Sequence, residues 1–136
     1  MADTPVEVVV RWRERLLFEG GPAGRPALLV DGNSAAAASP VELLLVSAAS
    51  CTAADIVSML EKQRVTLQAL EIVVRGTRRA EPPRRYTAIH FIVAVAGQGA
   101  DEVKARRAVD LSLEKYCSVV ASLAPDIRIT YDLTVR

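Results

Sequence analysis

Histidine occurs once in the 136 residues, at His90, and cysteine twice, at Cys51 and Cys117. Two cysteines and one histidine fall short of a closed zinc shell without a carboxylate, so no metal is expected. Net charge is nearly absent too: 17 basic against 16 acidic side chains leave +1. That balance gives no reason to expect nucleic acid or an acidic membrane as a partner. The opening residues, MADTPVEVVV, lack a basic stretch followed by an apolar one. No secretory signal is visible, and the cytoplasm is the expected compartment. In a reducing compartment two cysteines are poor candidates for a structural staple and read as buried thiols or a redox pair.

What the chain does have is apolar residues, 51% of the total, enough for one compact domain over residues 1–136 with a sizeable core. The longest apolar stretch, Ser39 to Gln63, organises the rest. Ser39 can cap a helix, Pro40 suits the first helical position, and Glu42 three residues after the cap completes a capping box. Between Glu42 and Asp55 lie twelve uncharged residues. A helix apolar on nearly every side is expected to be buried. The uncharged run is shorter than the roughly 20 apolar residues needed to cross a bilayer, and serines and a threonine interrupt it.

Strands are expected on either side of this helix. Val6, Val8, Val10 and Trp12 alternate with Glu7, Val9, Arg11 and Arg13 over residues 5–13, the pattern of a half-buried strand. Leu16 to Phe18 and Pro26 to Val30 supply two more, separated by Gly20-Gly21-Pro22 and closed by Asp31-Gly32-Asn33. After the helix a strand is expected over 67–78, a turn at Ala80 to Pro83, and a long strand over 86–96 with Ile89, Phe91, Val93 and Val95 on one face. A second helix should begin near Asp101, with Val109, Leu113, Tyr116, Val120 and Leu123 on its apolar side, and stop at Pro125. Ile127, Ile129, Tyr131, Leu133 and Val135 alternate with polar residues as the last strand. The order βββ-α-ββ-α-β defines an α+β class with a largely antiparallel sheet on two main helices.

Read by itself, a thiol in the middle of an apolar helix has a raised pKa and is inert unless a cation reaches it. Cys51 is therefore either a structural buried cysteine or a thiol activated by a positive neighbour, and Asp55 one turn on would oppose ionisation if it faced the same way. Cys117 lies among small and aliphatic neighbours near the end of the second helix. A disulfide between the two requires Cα atoms within roughly 4.4–6.8 Å, which spacing alone does not establish. His90 falls with Ala88, Ile92 and Ala94 on the other face of its strand and reads as a partly exposed strand residue rather than a base.

Pro40-Val41-Glu42-Leu43-Leu44, Ala48-Ala49-Ser50-Cys51-Thr52-Ala53 and Asp110-Leu111-Ser112-Leu113-Glu114-Lys115-Tyr116-Cys117-Ser118-Val119 together resemble the paired cysteine helices of the OsmC/Ohr family, and within it the YhfA-like subgroup. The likeness extends to Asp31-Gly32-Asn33 and the Tyr86 to Gly97 strand. The resemblance implies an OsmC-like fold in an intertwined homodimer, without a cofactor, that reduces organic hydroperoxides. It casts Cys51 as the peroxidatic thiol, oxidised to a sulfenic acid, and Cys117 as the resolving thiol, with an external dithiol as reductant. It also implies an arginine held by a glutamate beside Cys51. This chain departs from the pattern there: Val41 follows the proline and Glu42 comes one place later, so Glu42 either holds the arginine or serves only the capping box. Arg25 is the candidate arginine, with Arg13 and Arg15 as alternatives. Without such a cation the expectation shifts to a non-enzymatic dimer that binds a small molecule or senses redox state, or to a purely structural dimer.

Overall fold

The computed structural model describes residues 4–136, organised as two compact units, Met1–Leu44 and Leu45–Arg136, whose boundary falls inside a helix.

The first unit is a three-stranded antiparallel meander, β1 (Val9–Glu14), β2 (Leu17–Gly21) and β3 (Leu28–Asp31), in that order. Arg15, at φ 50°, turns the chain from β1 into β2. Trp12 faces Phe18 across the pair, a register shift follows between Trp12 and Glu14, and the Trp12 indole N–H donates to the Arg15 carbonyl at 2.8 Å. The half-buried face expected for β1 is not found in the single chain. Val8, Val10 and Trp12 are 58, 65 and 67% exposed. The expected start at residue 5 also moves to Val9. After β3, Asp31 folds the loop beneath its own carboxylate, which accepts the N–H groups of Asn33 at 2.8 Å, Ala36 at 2.8 Å and Ala35 at 3.3 Å. These donors, led by Ala36, hold the Asp31 carboxyl below its ordinary pKa.

The helix α1 (Pro40–Lys62) starts where the capping box places it. The Glu42 N–H donates to Ser39 Oγ at 3.2 Å, and the Ser39 N–H donates back to Glu42 Oε1 at 2.9 Å. At 23 residues, α1 is long and apolar enough by length and composition alone to cross a membrane, a test that the core helix of a globular protein also passes. Its fully buried residues form one i, i+4 stripe, Ala48, Thr52, Ile56 and Leu60. The expectation of burial on nearly every side is therefore corrected as well: Leu44 and Val46 remain 39 and 55% exposed in the single chain.

The second unit carries a sheet in the order β4 (Thr66–Arg78), β5 (Tyr86–Gln98), β6 (Arg128–Val135). β4 and β5 are an antiparallel pair, whereas β5 and β6 run parallel, Phe91 opposite Tyr131. A parallel pair needs a crossover connection, and the helical segment between β5 and β6 supplies it. The alternation expected for β5 holds, with Ile89, Phe91, Val93 and Val95 all buried. Ile56, Leu60, Tyr86, Ala105, Ala108 and Val109 complete the core of this unit. Gly76 in β4 is required by close approach: a Cβ there would lie 2.3 Å from Tyr86 Cε1 and 3.0 Å from Leu45 Cδ2.

The expected single second helix is interrupted. α2 (Glu102–Leu111), capped by Asp101 accepting the Lys104 N–H at 2.8 Å, gives way to a π-helical turn over Ser112–Tyr116 and then to the short helix α3 (Ser118–Ala121). The wider turn rotates the side chains that follow. Tyr116, expected on the apolar side, is 51% exposed, while Cys117 is brought inward to 2%.

Candidate active site

The chemistry-bearing residues of the second unit meet where the middle of α1 lies against the π-turn. Cys117 caps α3: its sulfur accepts the Val120 N–H at 3.4 Å. The Thr52 hydroxyl, on the buried stripe of α1, donates to the same sulfur at 3.6 Å. Cys51 precedes Thr52 on the same helix, and its side chain is among the neighbours that raise the Cys117 pKa. Both cysteines are free thiols. Of the two thiols Cys117 is the more deeply buried, because the π-turn carries it inward while Cys51 lies off the buried stripe of α1.

Burial pushes the Cys117 thiol above its ordinary pKa; the Val120 N–H and the Thr52 hydroxyl pull it down; contact with the Cys51 sulfur pushes it up again. The net direction is upward, so the surroundings favour the neutral form of Cys117 over its thiolate.

Asp55 does not oppose Cys51 as an unpaired charge. Its carboxylate accepts a hydrogen bond of 2.9 Å from Ser112 Oγ, a fully buried hydroxyl at the first residue of the π-turn. The Cys117 N–H in turn donates to the Ser112 carbonyl at 2.8 Å. Asp55, Ser112 and Cys117 therefore form one chain of bonds that fixes where the second sulfur sits. Sequence reading missed Thr52, Ser112 and Val120 as site residues. The only signal for Thr52 and Ser112 is a polar residue interrupting an apolar helix, which marks an interruption but not a partner, and Val120, which acts through its backbone N–H, has none.

The remaining candidates belong to other parts of the chain. Glu42 is in the first unit, where its carboxylate accepts hydrogen bonds from the Ser39 N–H and from Ser34 Oγ; these donors, Ser34 first, lower its pKa. Among the described residues no ion pair involves Glu42; the acidic partners are Glu19 of Arg13, Asp126 of Arg85, Asp132 of His90 and Glu102 of Arg106. Arg25 is exposed in the loop between β2 and β3, beside a shallow cleft of about 200 Å³ shared with Arg11 and Glu19. Arg15 contributes a favourable charge to Asp31. His90, partly exposed as expected, lies between Thr130 Oγ1 at 2.7 Å and Asp132 Oδ2 at 3.0 Å on the outer face of the sheet.

One free cysteine thus stands on the central helix and the other at the end of a π-turn, in this order of strands. Residues 31–132 match the family described as OsmC-like protein. The chain belongs to the OsmC-like family. Among OsmC-like relatives, Protein YhfA of Escherichia coli K12 is 41% identical over 127 residues, covering 93% of this chain and 95% of the relative. The crystal structure of a hypothetical protein from Aquifex aeolicus VF5 has 28% identity and a TM-score of 0.84, covering 98% of this chain and 99% of the other. At 13% identity, where the likeness is one of fold alone, a Legionella pneumophila organic hydroperoxide resistance protein OsmC has a TM-score of 0.68, covering 98% of this chain and 100% of the other. The mixed α+β fold of this chain is the OsmC-like fold.

Proposed function

We propose that this OsmC-like protein reduces organic hydroperoxides with Cys51 as the attacking thiol and Cys117 as the resolving thiol. The observation that carries the reading is the pairing of a partly exposed thiol, Cys51, with a buried neighbour, Cys117, whose neutral form the surroundings favour. The Cys51 thiolate attacks the peroxide O–O bond, the departing alkoxide takes up a proton to leave as alcohol, and Cys51 becomes a sulfenic acid. The Cys117 sulfur then displaces that hydroxyl as water, and the two sulfurs join in a disulfide. A dithiol returns the pair to thiols and is itself oxidised to a disulfide. That a Legionella pneumophila protein of the same fold is an organic hydroperoxide resistance protein supports the substrate class.

The cation that steadies the Cys51 thiolate and the departing alkoxide is Arg25 in this reading, with Arg13 or Arg15 as alternatives. Stopped-flow mixing of reduced protein with cumene hydroperoxide tests the scheme: rapid loss of both thiols is expected in the parent and none in Cys51→Ser. Thiols that survive in the parent for minutes overturn it.

The protein acts as a homodimer. Val8, Val10 and Trp12 along β1, with Leu44 and Val46 on α1, are apolar side chains left open in the single chain, and a second copy is the partner that covers them. A second reading, a non-enzymatic dimer that binds a small molecule or senses redox state, is favoured by one observation. The carboxylate of Glu42 is engaged by Ser34 and Ser39 instead of an arginine. Formation of the Cys51–Cys117 disulfide within seconds of mild peroxide treatment would exclude a binding protein whose cysteines are incidental or only slowly oxidised.

A further inference from the structure

The two sulfurs of the pair differ in both access and partners. Cys51 is partly exposed in the chain, whereas Cys117 is 2% exposed and already accepts two hydrogen bonds, from Thr52 Oγ1 and from the Val120 N–H. In thiol–disulfide exchange the incoming thiolate must reach the sulfur it attacks along the S–S axis, and the other sulfur leaves with the electron pair. From this asymmetry we infer that the reductant opens the Cys51–Cys117 disulfide at Cys51, and that Thr52 and Val120 are the donors that receive Cys117 as the leaving thiolate.

The step balances. The reductant thiol loses its proton to solvent, its thiolate forms a new S–S bond to Cys51, and the old S–S bond breaks with its electron pair on Cys117. A second thiol of the reductant then displaces the Cys51 thiolate and closes the reductant's own disulfide. Leaving as an anion in a buried position is costly, so the donors matter. The opposing influence of the Cys51 sulfur on a Cys117 charge is absent at that moment, because Cys51 is bound in the mixed disulfide and carries no charge. The hydroxyl of Thr52, fully buried on α1, then has the Cys117 sulfur as an acceptor with a full negative charge. A hydrogen bond to a charged group is worth enough that its removal slows the step roughly tenfold or more.

The opposite direction of attack has an identifiable route. Cys117 borders a shallow cleft of about 230 Å³ formed with Leu113, Val120, Leu123 and Pro125. A reductant entering there would add to Cys117 and release Cys51, with neither Thr52 nor Val120 assisting.

The inference deepens the peroxidase reading, and its test separates the two. The disulfide is made in the full-length protein with diamide, without peroxide, then opened with excess glutathione for a short time. The mixture is quenched in acid, freed thiols are alkylated, and the peptides are identified by mass. Glutathione on Cys51 with alkylated Cys117 is expected. Glutathione on Cys117, or no bridge formed by diamide, overturns the inference. Thr52→Val is expected to slow glutathione opening roughly tenfold, and Thr52→Ser, which keeps the hydroxyl, to restore most of the rate. Equal rates in both variants overturn the role given to Thr52. Should diamide make a bridge that opens at Cys51 while cumene hydroperoxide makes none, the peroxidase reading falls and the inference stands.

Discussion

Ser112 Oγ donates to the carboxylate of Asp55 at 2.9 Å, tying the first residue of the π-turn to the middle of α1. The hydroxyl is fully buried, so removing its acceptor leaves a polar group with nowhere to turn. Asp55→Ala is therefore expected to cost about 1–3 kcal/mol in stability. Ser112→Ala, which leaves a carboxylate still partly in contact with water, should cost about 1 kcal/mol. Urea midpoints measure both. Each variant should also slow diamide formation of the disulfide, because the backbone bond from Cys117 to Ser112 rides on the same turn. A variant that loses stability but bridges at the parental rate would confine the contact to a structural role.

A separate prediction concerns packing. Gly76→Ala places a methyl group 2.3 Å from Tyr86 Cε1 and 2.7 Å from Tyr86 Cδ1, and Tyr86 is 5% exposed with no free direction to move. The expected loss is about 1–3 kcal/mol from overpacking. An unchanged urea midpoint would show that β4 and β5 can slide apart at this point.

Acid should loosen the first unit through Asp31 and Glu42. Both carboxyls titrate below their ordinary values, Asp31 chiefly through the Ala36 N–H and Glu42 chiefly through Ser34. A depressed carboxyl stabilises the fold above its unfolded pKa, 3.8 for Asp31, and that contribution is lost as pH falls through the folded value. Asp31→Asn is thus expected to lower the urea midpoint at pH 7 and to lower it much less at pH 3. Equal losses at both pH values would mean that the charge of Asp31 contributes nothing and only its shape matters.

Much of this architecture is legible in the residues themselves. The strict alternation of Ile89, Phe91, Val93 and Val95 marks β5 because a period of two on a half-covered sheet has one solution. Ser39 and Glu42 fix the start of α1 because the capping box is a local arrangement of four residues. The π-turn is not legible: Val109, Leu113, Tyr116 and Val120 fit a continuous helix, and one extra residue per turn leaves no trace in hydrophobic period. Nor is the buried side of α1, since a helix apolar on most faces has no preferred stripe until Thr52 finds the Cys117 sulfur and Ile56 and Leu60 find the core. Cys51, for which the residues alone leave a structural and an activated thiol both open, lies off that stripe and is only partly buried.

Titration of the thiols, followed by thiolate absorbance near 240 nm, separates the influences on Cys117. Its pKa stands above the ordinary value, through burial first and through the Cys51 sulfur besides. Cys51→Ser removes the neighbouring negative charge and is expected to move Cys117 downward; Thr52→Val removes a donor and is expected to move it upward. Stability follows the same sign. The neutral thiol is favoured in the fold, so its contribution is present below the unfolded pKa and is lost as pH rises through the folded one. A Cys51→Ser protein whose remaining thiol titrates higher than in the parent would contradict this arrangement of the pair.

The apolar surface of β1 leads to the last prediction. Trp12, the only tryptophan, is 67% exposed in the single chain and continues a row with Val8 and Val10 at 58 and 65%. Three such side chains in one line on an edge strand are costly to leave in water, each contributing on the order of 1.5–3 kcal/mol when fully covered. The proposed homodimer covers them, so light scattering at micromolar concentration should return the mass of two chains, and Trp12 fluorescence should be that of a sheltered indole. Trp12→Asp places a charge in the same row and is expected to shift the protein towards single chains. A parent protein that scatters as one chain of 14.7 kDa, with Trp12 emitting as in water, would leave β1 uncovered and refute the dimer.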